Sequence, residues 1–181
     1  ALPYFAEHSR DTFELYLGYY RHQYGMTGSC MRFFNVYGPR QNPHGEAGVV
    51  AIFVSRMDSA KRDPSKPGPV INGDGLQTRD FTYVGDIAES CWIAGQRKLN
   101  DTFNVGTGIT TTVVGVFDAI AKAVGYTGKR VHREAAPGEQ RESMLDASKL
   151  LRATGFKPTT TFQQGVNETV AWYRLQEAAR A

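Results

Sequence analysis

Met31-Arg32-Phe33-Phe34-Asn35-Val36-Tyr37-Gly38-Pro39-Arg40 is the stretch on which the reading of this chain turns. An apolar, β-prone run from Cys30 to Phe34 stops at Asn35, and Gly38-Pro39 imposes a turn. The pattern predicts a strand whose C-terminal end delivers an Asn, a Tyr and an Arg into a loop. Ligands of open α/β sheets sit outside the carboxyl ends of strands, which makes Asn35, Tyr37 and Arg40 candidate site residues. A buried strand followed by an ordinary surface turn satisfies the same local pattern.

On the N-terminal side, Asp11 to Gln23 reads as a helix. Phe13, Leu17 and Tyr20, with Tyr16 and Tyr24 beside them, form a stripe at three-and-four spacing expected to be buried, and Gly25 ends it. On the C-terminal side, Gln41 to Gly48 is a loop, and a helix runs from about Val49 to Ala60. Lys61 to Pro69 is polar, carries three prolines and reads as a surface excursion. Val70-Ile71 is a short strand, Asn72-Gly73-Asp74-Gly75 a turn of the hairpin kind, and Arg79 to Val84 a second strand. Asp86 is placed to cap a helix over Ile87 to Gln96.

Beyond it, Thr102 to Val105 reads as a strand, Val113 to Val124 as a helix closed by Gly125, and Lys129 to His132 as a strand. Asp146 caps a short helix over Ala147 to Thr154, and a last helix runs from about Phe162 to Ala178. Alternation of strand and helix predicts an α/β fold.

Composition narrows the classes. The chain has 181 residues, 41% hydrophobic and 22% charged, in the range of a soluble globular protein. A dispersed net charge of +3 argues against nucleic acid. No apolar run approaches membrane-span length. Cys30 and Cys91 sit in apolar segments and are expected as two buried free thiols of a cytoplasmic protein. His8, His22, His44 and His132 share no ligand spacing with them, so no metal site is predicted. No Gly-x-Ser-x-Gly elbow marks a hydrolase.

Arg32 to Arg40, Gln77-Thr78-Arg79-Asp80-Phe81-Thr82-Tyr83-Val84-Gly85-Asp86 and Phe103-Asn104-Val105-Gly106-Thr107-Gly108 together resemble, in order, the nucleotide-sugar epimerase/dehydratase family, the extended short-chain dehydrogenases. The resemblance implies a Rossmann-type doubly wound sheet with a small α/β substrate-binding domain. Residues 1–47 and 79–109 would belong to the dinucleotide-binding part, 48–78 and 110–181 to the substrate part. No Gly-rich strand-to-helix turn of the dinucleotide-binding kind occurs, and Ala1 is not an initiator Met, so the expectation is the C-terminal part of a longer protein.

The implied activity is NAD-dependent: a sugar hydroxyl is oxidised to a ketone and, in an epimerase acting on a UDP-hexose, reduced from the opposite face. Dehydration or uronate decarboxylation are the family's alternatives, and a non-catalytic sugar-nucleotide-binding or dimerising module is the reading from another class. The implied partner for the 11–24 helix is a second copy of the protein, giving a homodimer.

The resemblance also distributes roles. The family's base is a Tyr in a Tyr-x-x-x-Lys pair on the helix before the organising strand, its phenol lowered from about 10 by the Lys charge. Here Tyr4 is followed by His8, and the register of Glu14-Leu15-Tyr16-Leu17 puts Ser9-Arg10 where Ser-Lys is expected and Ala6 where the Tyr is expected. Either Tyr4 is the base with His8 or Arg10 as cationic neighbour after a local insertion, or the site lacks its Tyr. Asn35 is implied to bond the nucleotide-sugar, Phe34 to lie near the nicotinamide, and Tyr37 to shape the same rim on the cofactor side. Arg79 matches the ligand of the substrate diphosphate. In Pro137-Gly138-Glu139-Gln140-Arg141, Glu139 is implied as an acceptor for ribose hydroxyls and Arg141 as a second phosphate contact.

Overall fold

In a computed structural model, the chain is described at residues 2–44, 48–135 and 137–179, with only the helical backbone described over 2–11. The elements follow in the order α1 (Leu2–Tyr24), β1 (Cys30–Phe33), β2 (Val36–Tyr37), α2 (Val49–Arg62), β3 (Val70–Asn72), β4 (Thr78–Asp80) and β5 (Thr82–Tyr83). After them come α3 (Val84–Gln96), β6 (Thr102–Val105), β7 (Thr110–Thr112), α4 (Val113–Val124), β8 (Val131–Arg133), β9 (Glu142–Ser143), α5 (Ser148–Thr154) and α6 (Phe162–Ala178).

Helix ends are set by local chemistry. Thr112 Oγ1 accepts from the Gly115 N–H at 2.9 Å to start α4, and left-handed Gly125 closes it. Thr161 and Gln164 form a reciprocal capping box at the start of α6. At α5 the N-cap is Ala147 rather than Asp146, which lies one residue earlier and accepts from the Ser148 N–H at 2.8 Å without capping the helix. Nor does Asp86 cap α3. It lies in the first turn of α3, buried, and accepts from the Thr159 and Thr160 N–H groups at 3.3 Å each, pinning the approach to α6.

Most strand pairs are parallel and join segments far apart in sequence. β1 runs beside β6 from Cys30–Thr102 to Phe33–Val105, β2 beside β5, and β3 beside β8. β4 is central to a three-stranded sheet, antiparallel to β7 and parallel to β9. Parallel pairs require crossovers, which the helices supply. Asn72-Gly73-Asp74-Gly75 is a turn but not a hairpin, because β3 and β4 pair with β8 and with β7 and β9 rather than with each other.

Two apolar clusters hold these layers. The larger joins α2, α4 and α6 through Phe53, Met57, Val116, Ile120, Val166 and Val170. The smaller gathers Ile87, Phe103, Val105, Leu150 and Phe156, so α5 and the loop after it pack against β6. Gly165 lets α6 approach the first cluster closely: a Cβ there would lie 2.2 Å from the Tyr37 hydroxyl.

The aromatic stripe of α1 is not buried. Phe13, Tyr16, Tyr20 and Tyr24 are all exposed, Tyr16 at 62%. Glu14 ties this helix to β1 through a two-pronged pair with Arg32 at 2.6 Å. Of the two expected buried thiols, Cys30 is half-buried and Cys91 exposed on the outer face of α3; both are free.

Tyr83 reaches from β5 to donate to Glu168 on α6, and burial followed by that carboxylate pushes its phenol up from 10.0 to about 12. A folded-state value raised above the unfolded one adds stability below pH 10.0 that is lost as pH climbs toward about 12. Thermal melts followed by circular dichroism are expected to hold steady to pH 10 and then fall, with a shallower fall in Tyr83→Phe.

Candidate functional site

Asn35 follows the end of β1 in a left-handed conformation, φ 39°, which Asn tolerates better than most residues. Its carbonyl accepts from the Thr82 N–H at 3.3 Å, and its side-chain amide donates to the Asp80 carbonyl at 3.2 Å. Gly38 turns the chain where a Cβ would sit 2.5 Å from Val84 Cγ1. The carboxyl end of β1 is thereby fixed to the end of β4.

Asp80 is the anchor of this junction. Fully buried, its carboxylate accepts from the Thr107 hydroxyl at 2.6 Å and from the Thr107 and Gly108 N–H groups at 3.1 and 3.0 Å. The Gly106-Thr107-Gly108 turn is thus held by the residue next to Arg79. Arg79 Nη1 donates to the Thr78 carbonyl at 2.8 Å, and its side chain is mostly buried, at 19% exposure. Its ion-pair partner is Glu139, with Nη2 to Oε1 at 4.0 Å. Gln77, also buried, donates to the same carboxylate at 3.1 Å.

Asn35, Arg79 and Glu139 line one cavity of about 360 Å³ beside α2, together with Tyr37, Arg56 and Arg133. That volume lies in the range of small-molecule sites. Three guanidinium-bearing side chains face one carboxylate there, a balance that favours an anion.

The other expected site residues are distributed differently. Tyr37 lies on the inner wall, 2% exposed, its hydroxyl donating to the Phe162 carbonyl at 3.2 Å, so its phenol packs rather than reaching a ligand. Burial, with Asp86 nearby, holds that phenol far above its usual range. Phe34 is half-buried beside Asn35. Arg141 pairs with Asp74 at 2.9 Å and borders a neighbouring hollow of about 230 Å³ that shares Gln77 and Glu139 with the cavity. The side chains of Tyr4 and Arg10 lie outside the described residues. Their backbone helix is continuous, which places His8 one turn from Tyr4 and Arg10 roughly 240° around the axis from it.

Arg56, Gln77 and Arg133 are the residues that sequence reasoning missed. Arg56 is exposed on the flank of α2, beside the unbroken buried face of Val50, Phe53, Val54 and Met57. Arg133, bonded to Asn72 Oδ1 at 2.6 Å, joins the cavity only because β8 pairs with distant β3. Among the described residues, no three His, Cys, Asp or Glu side chains are grouped to hold a metal. No helix among them is long and apolar enough to cross a membrane.

The family model described as GDP-mannose 4,6 dehydratase matches residues 12–169. The chain belongs to the NAD-dependent epimerase/dehydratase family. It is 37% identical over 162 residues to the UDP-glucose 4-epimerase of Mycolicibacterium smegmatis, covering 89% of this chain and 50% of that one. Among solved structures, the Thermotoga maritima UDP-glucose 4-epimerase with UDP-glucose superimposes with a TM-score of 0.83 at 36% identity, over 92% of this chain and 52% of that one. The Thermus thermophilus UDP-glucose 4-epimerase complex with NAD gives 0.76 at 38% identity, over 90% and 51%. The fold is accordingly the α/β, Rossmann-like fold of these family members. The chain spans about half the length of the curated relatives it matches.

Proposed function

We propose that the protein carrying this chain is an NAD-dependent nucleotide-sugar 4-epimerase acting on a UDP-hexose. The observation that supports it most is the convergence of Asn35 and Arg79 on one cavity, tied together through Asp80. Arg79 grips the diphosphate, since a guanidinium is permanently charged and matches phosphate oxygens with two parallel donors. Asn35, fixed at the carboxyl end of β1, orients the sugar. The identities of 37% and 36% to UDP-glucose 4-epimerases favour epimerisation over dehydration or decarboxylation.

The donor set suits NAD at one end only. Phe34 offers an apolar, half-buried surface beside Asn35 for the nicotinamide, while no residue of the sequence forms the Gly-rich cradle for the dinucleotide phosphates. When bound, NAD accepts and returns the hydride. This chain holds the diphosphate as a fixed pivot about which the ketosugar presents its other face. Tyr4 is the proposed base, on the helix preceding β1, with Arg10 or His8 as its cationic neighbour in place of the family's Lys. The exposed tyrosines of α1 support a homodimer through this helix.

The absence of Tyr-x-x-x-Lys keeps one rival, a non-catalytic sugar-nucleotide-binding module. Native mass spectrometry of the full protein, with an assay interconverting UDP-glucose and UDP-galactose, separates them. A co-purifying dinucleotide with turnover is expected; absence of both would refute the enzyme.

A further inference from the structure

Beside Asn35, the cavity wall holds a shielded acceptor with nothing to accept. Gln41 lines the cavity together with Asn35 and Val36. Its Nε2 donates to the Val36 carbonyl at 3.0 Å, and since only the NH2 of an amide can donate, that bond settles which way the group faces. The other atom of the amide, Oε1, is shielded from solvent and meets no donor among the described residues.

The side chain has little freedom to find a partner elsewhere. The Gln41 N–H donates to the Gly38 carbonyl at 3.4 Å, and the Tyr173 hydroxyl on α6 donates to the Gln41 carbonyl. Gly48, the N-cap of α2, comes so close that a Cβ there would lie 2.7 Å from Nε2. Backbone and amide are thus pinned from β2, from α6 and from the start of α2. A buried polar atom left unpaired costs about 1–3 kcal/mol, so an acceptor held unpaired at the wall of a ligand cavity is poised for a donor that arrives with the ligand. An ionised diphosphate presents acceptors only and cannot be that donor.

We infer that Gln41 is a specificity-determining residue of the sugar end of the cavity, its Oε1 accepting a hydrogen bond from the hexose, from a hydroxyl or from the N–H of an acylamino group. The inference rests on the sugar-nucleotide reading, in which Asn35 marks the sugar end. Gln41 belongs to that end because its amide is bonded to Val36, the residue after Asn35.

Gln41→Met keeps the length of the side chain and removes the acceptor. In the full protein, calorimetry is expected to show UDP-glucose binding weakened about three- to tenfold, with UDP binding within about twofold of the unaltered protein. UDP-glucose analogues that each lack one sugar hydroxyl identify the donor: the analogue missing it should bind both forms alike, while the others keep the difference. If that analogue is the 2-deoxy one, UDP-N-acetylglucosamine separates the sources, since it keeps the difference only where an N–H serves in place of the hydroxyl. A loss shared equally by UDP and UDP-glucose would make Gln41 a purely structural residue and overturn the inference, as would unchanged binding of both. A crystal structure of the full protein with UDP-glucose tests it without a substitution. Oε1 within about 3.2 Å of a sugar O–H supports it, and Oε1 bonded to water alone overturns it. If the unaltered protein binds no UDP, the sugar-nucleotide reading falls first and this inference with it.

Discussion

Asp80→Ala is expected to lower the unfolding free energy by about 3–5 kcal/mol, the largest single effect predicted for this chain. The carboxylate is fully shielded and takes three hydrogen bonds, at 2.6, 3.0 and 3.1 Å, from Thr107 and Gly108. Alanine cannot replace any of them; the donors are only partly buried, so each lost bond costs at the lower end of about 1–3 kcal/mol. Asn would keep an oxygen for Thr107 but present an NH2 elsewhere, so Asp80→Asn should lose about half as much. Urea denaturation measures both. A loss below about 1 kcal/mol for the alanine variant would show that the turn at Gly106-Thr107-Gly108 stands without this anchor.

Arg79→Ala should weaken UDP binding by about 1.5–3 kcal/mol, or roughly 10- to 150-fold, while leaving stability within about 1 kcal/mol of the parent. The guanidinium is mostly shielded, and its one close bond is to the Thr78 carbonyl at 2.8 Å, so the fold relies on it little. Lys in its place restores a charge without the planar fork and should recover only part of the affinity. Isothermal calorimetry decides: an unaltered UDP affinity in the alanine variant would remove Arg79 from the phosphate site.

Elements whose signal is local were read accurately. The strand Thr102–Val105 and the helices Val113–Val124 and Phe162–Ala178 stand where apolar spacing and Gly125 put them. The failures share one cause, dependence on distant partners. Thr110–Thr112 is a uniform polar run that becomes a strand because β4 lies beside it, and Glu142–Ser143 pairs with the same strand. The turn at Asn72 to Gly75 was legible, but its flanking strands pair with segments far along the chain.

The site shows the same division. Asn35 and Arg79 could be named from motif residues, and both line the cavity. Arg133 could not, because β8 reaches the cavity only through its register with β3. Burial in α1 was overestimated for a related reason. Periodicity identifies an apolar face but not what covers it, and Phe13, Tyr16 and Tyr24 stand exposed. Asp86 misled in the opposite sense: its position before a helix suggested a cap, while tertiary packing put it inside the first turn.

The bond from the Asn35 amide to the Asp80 carbonyl, one residue along from Arg79, works as a gauge. The interval between Asn35, proposed to steer the sugar, and Arg79, proposed to grip the diphosphate, is set by a single peptide unit, independent of the long excursion between the two strands. Inserted residues at Lys61 to Pro69 would leave that interval intact. A one-residue slip in the pairing of β2 with β5 would change it, and with it the span of donor molecule the protein accepts.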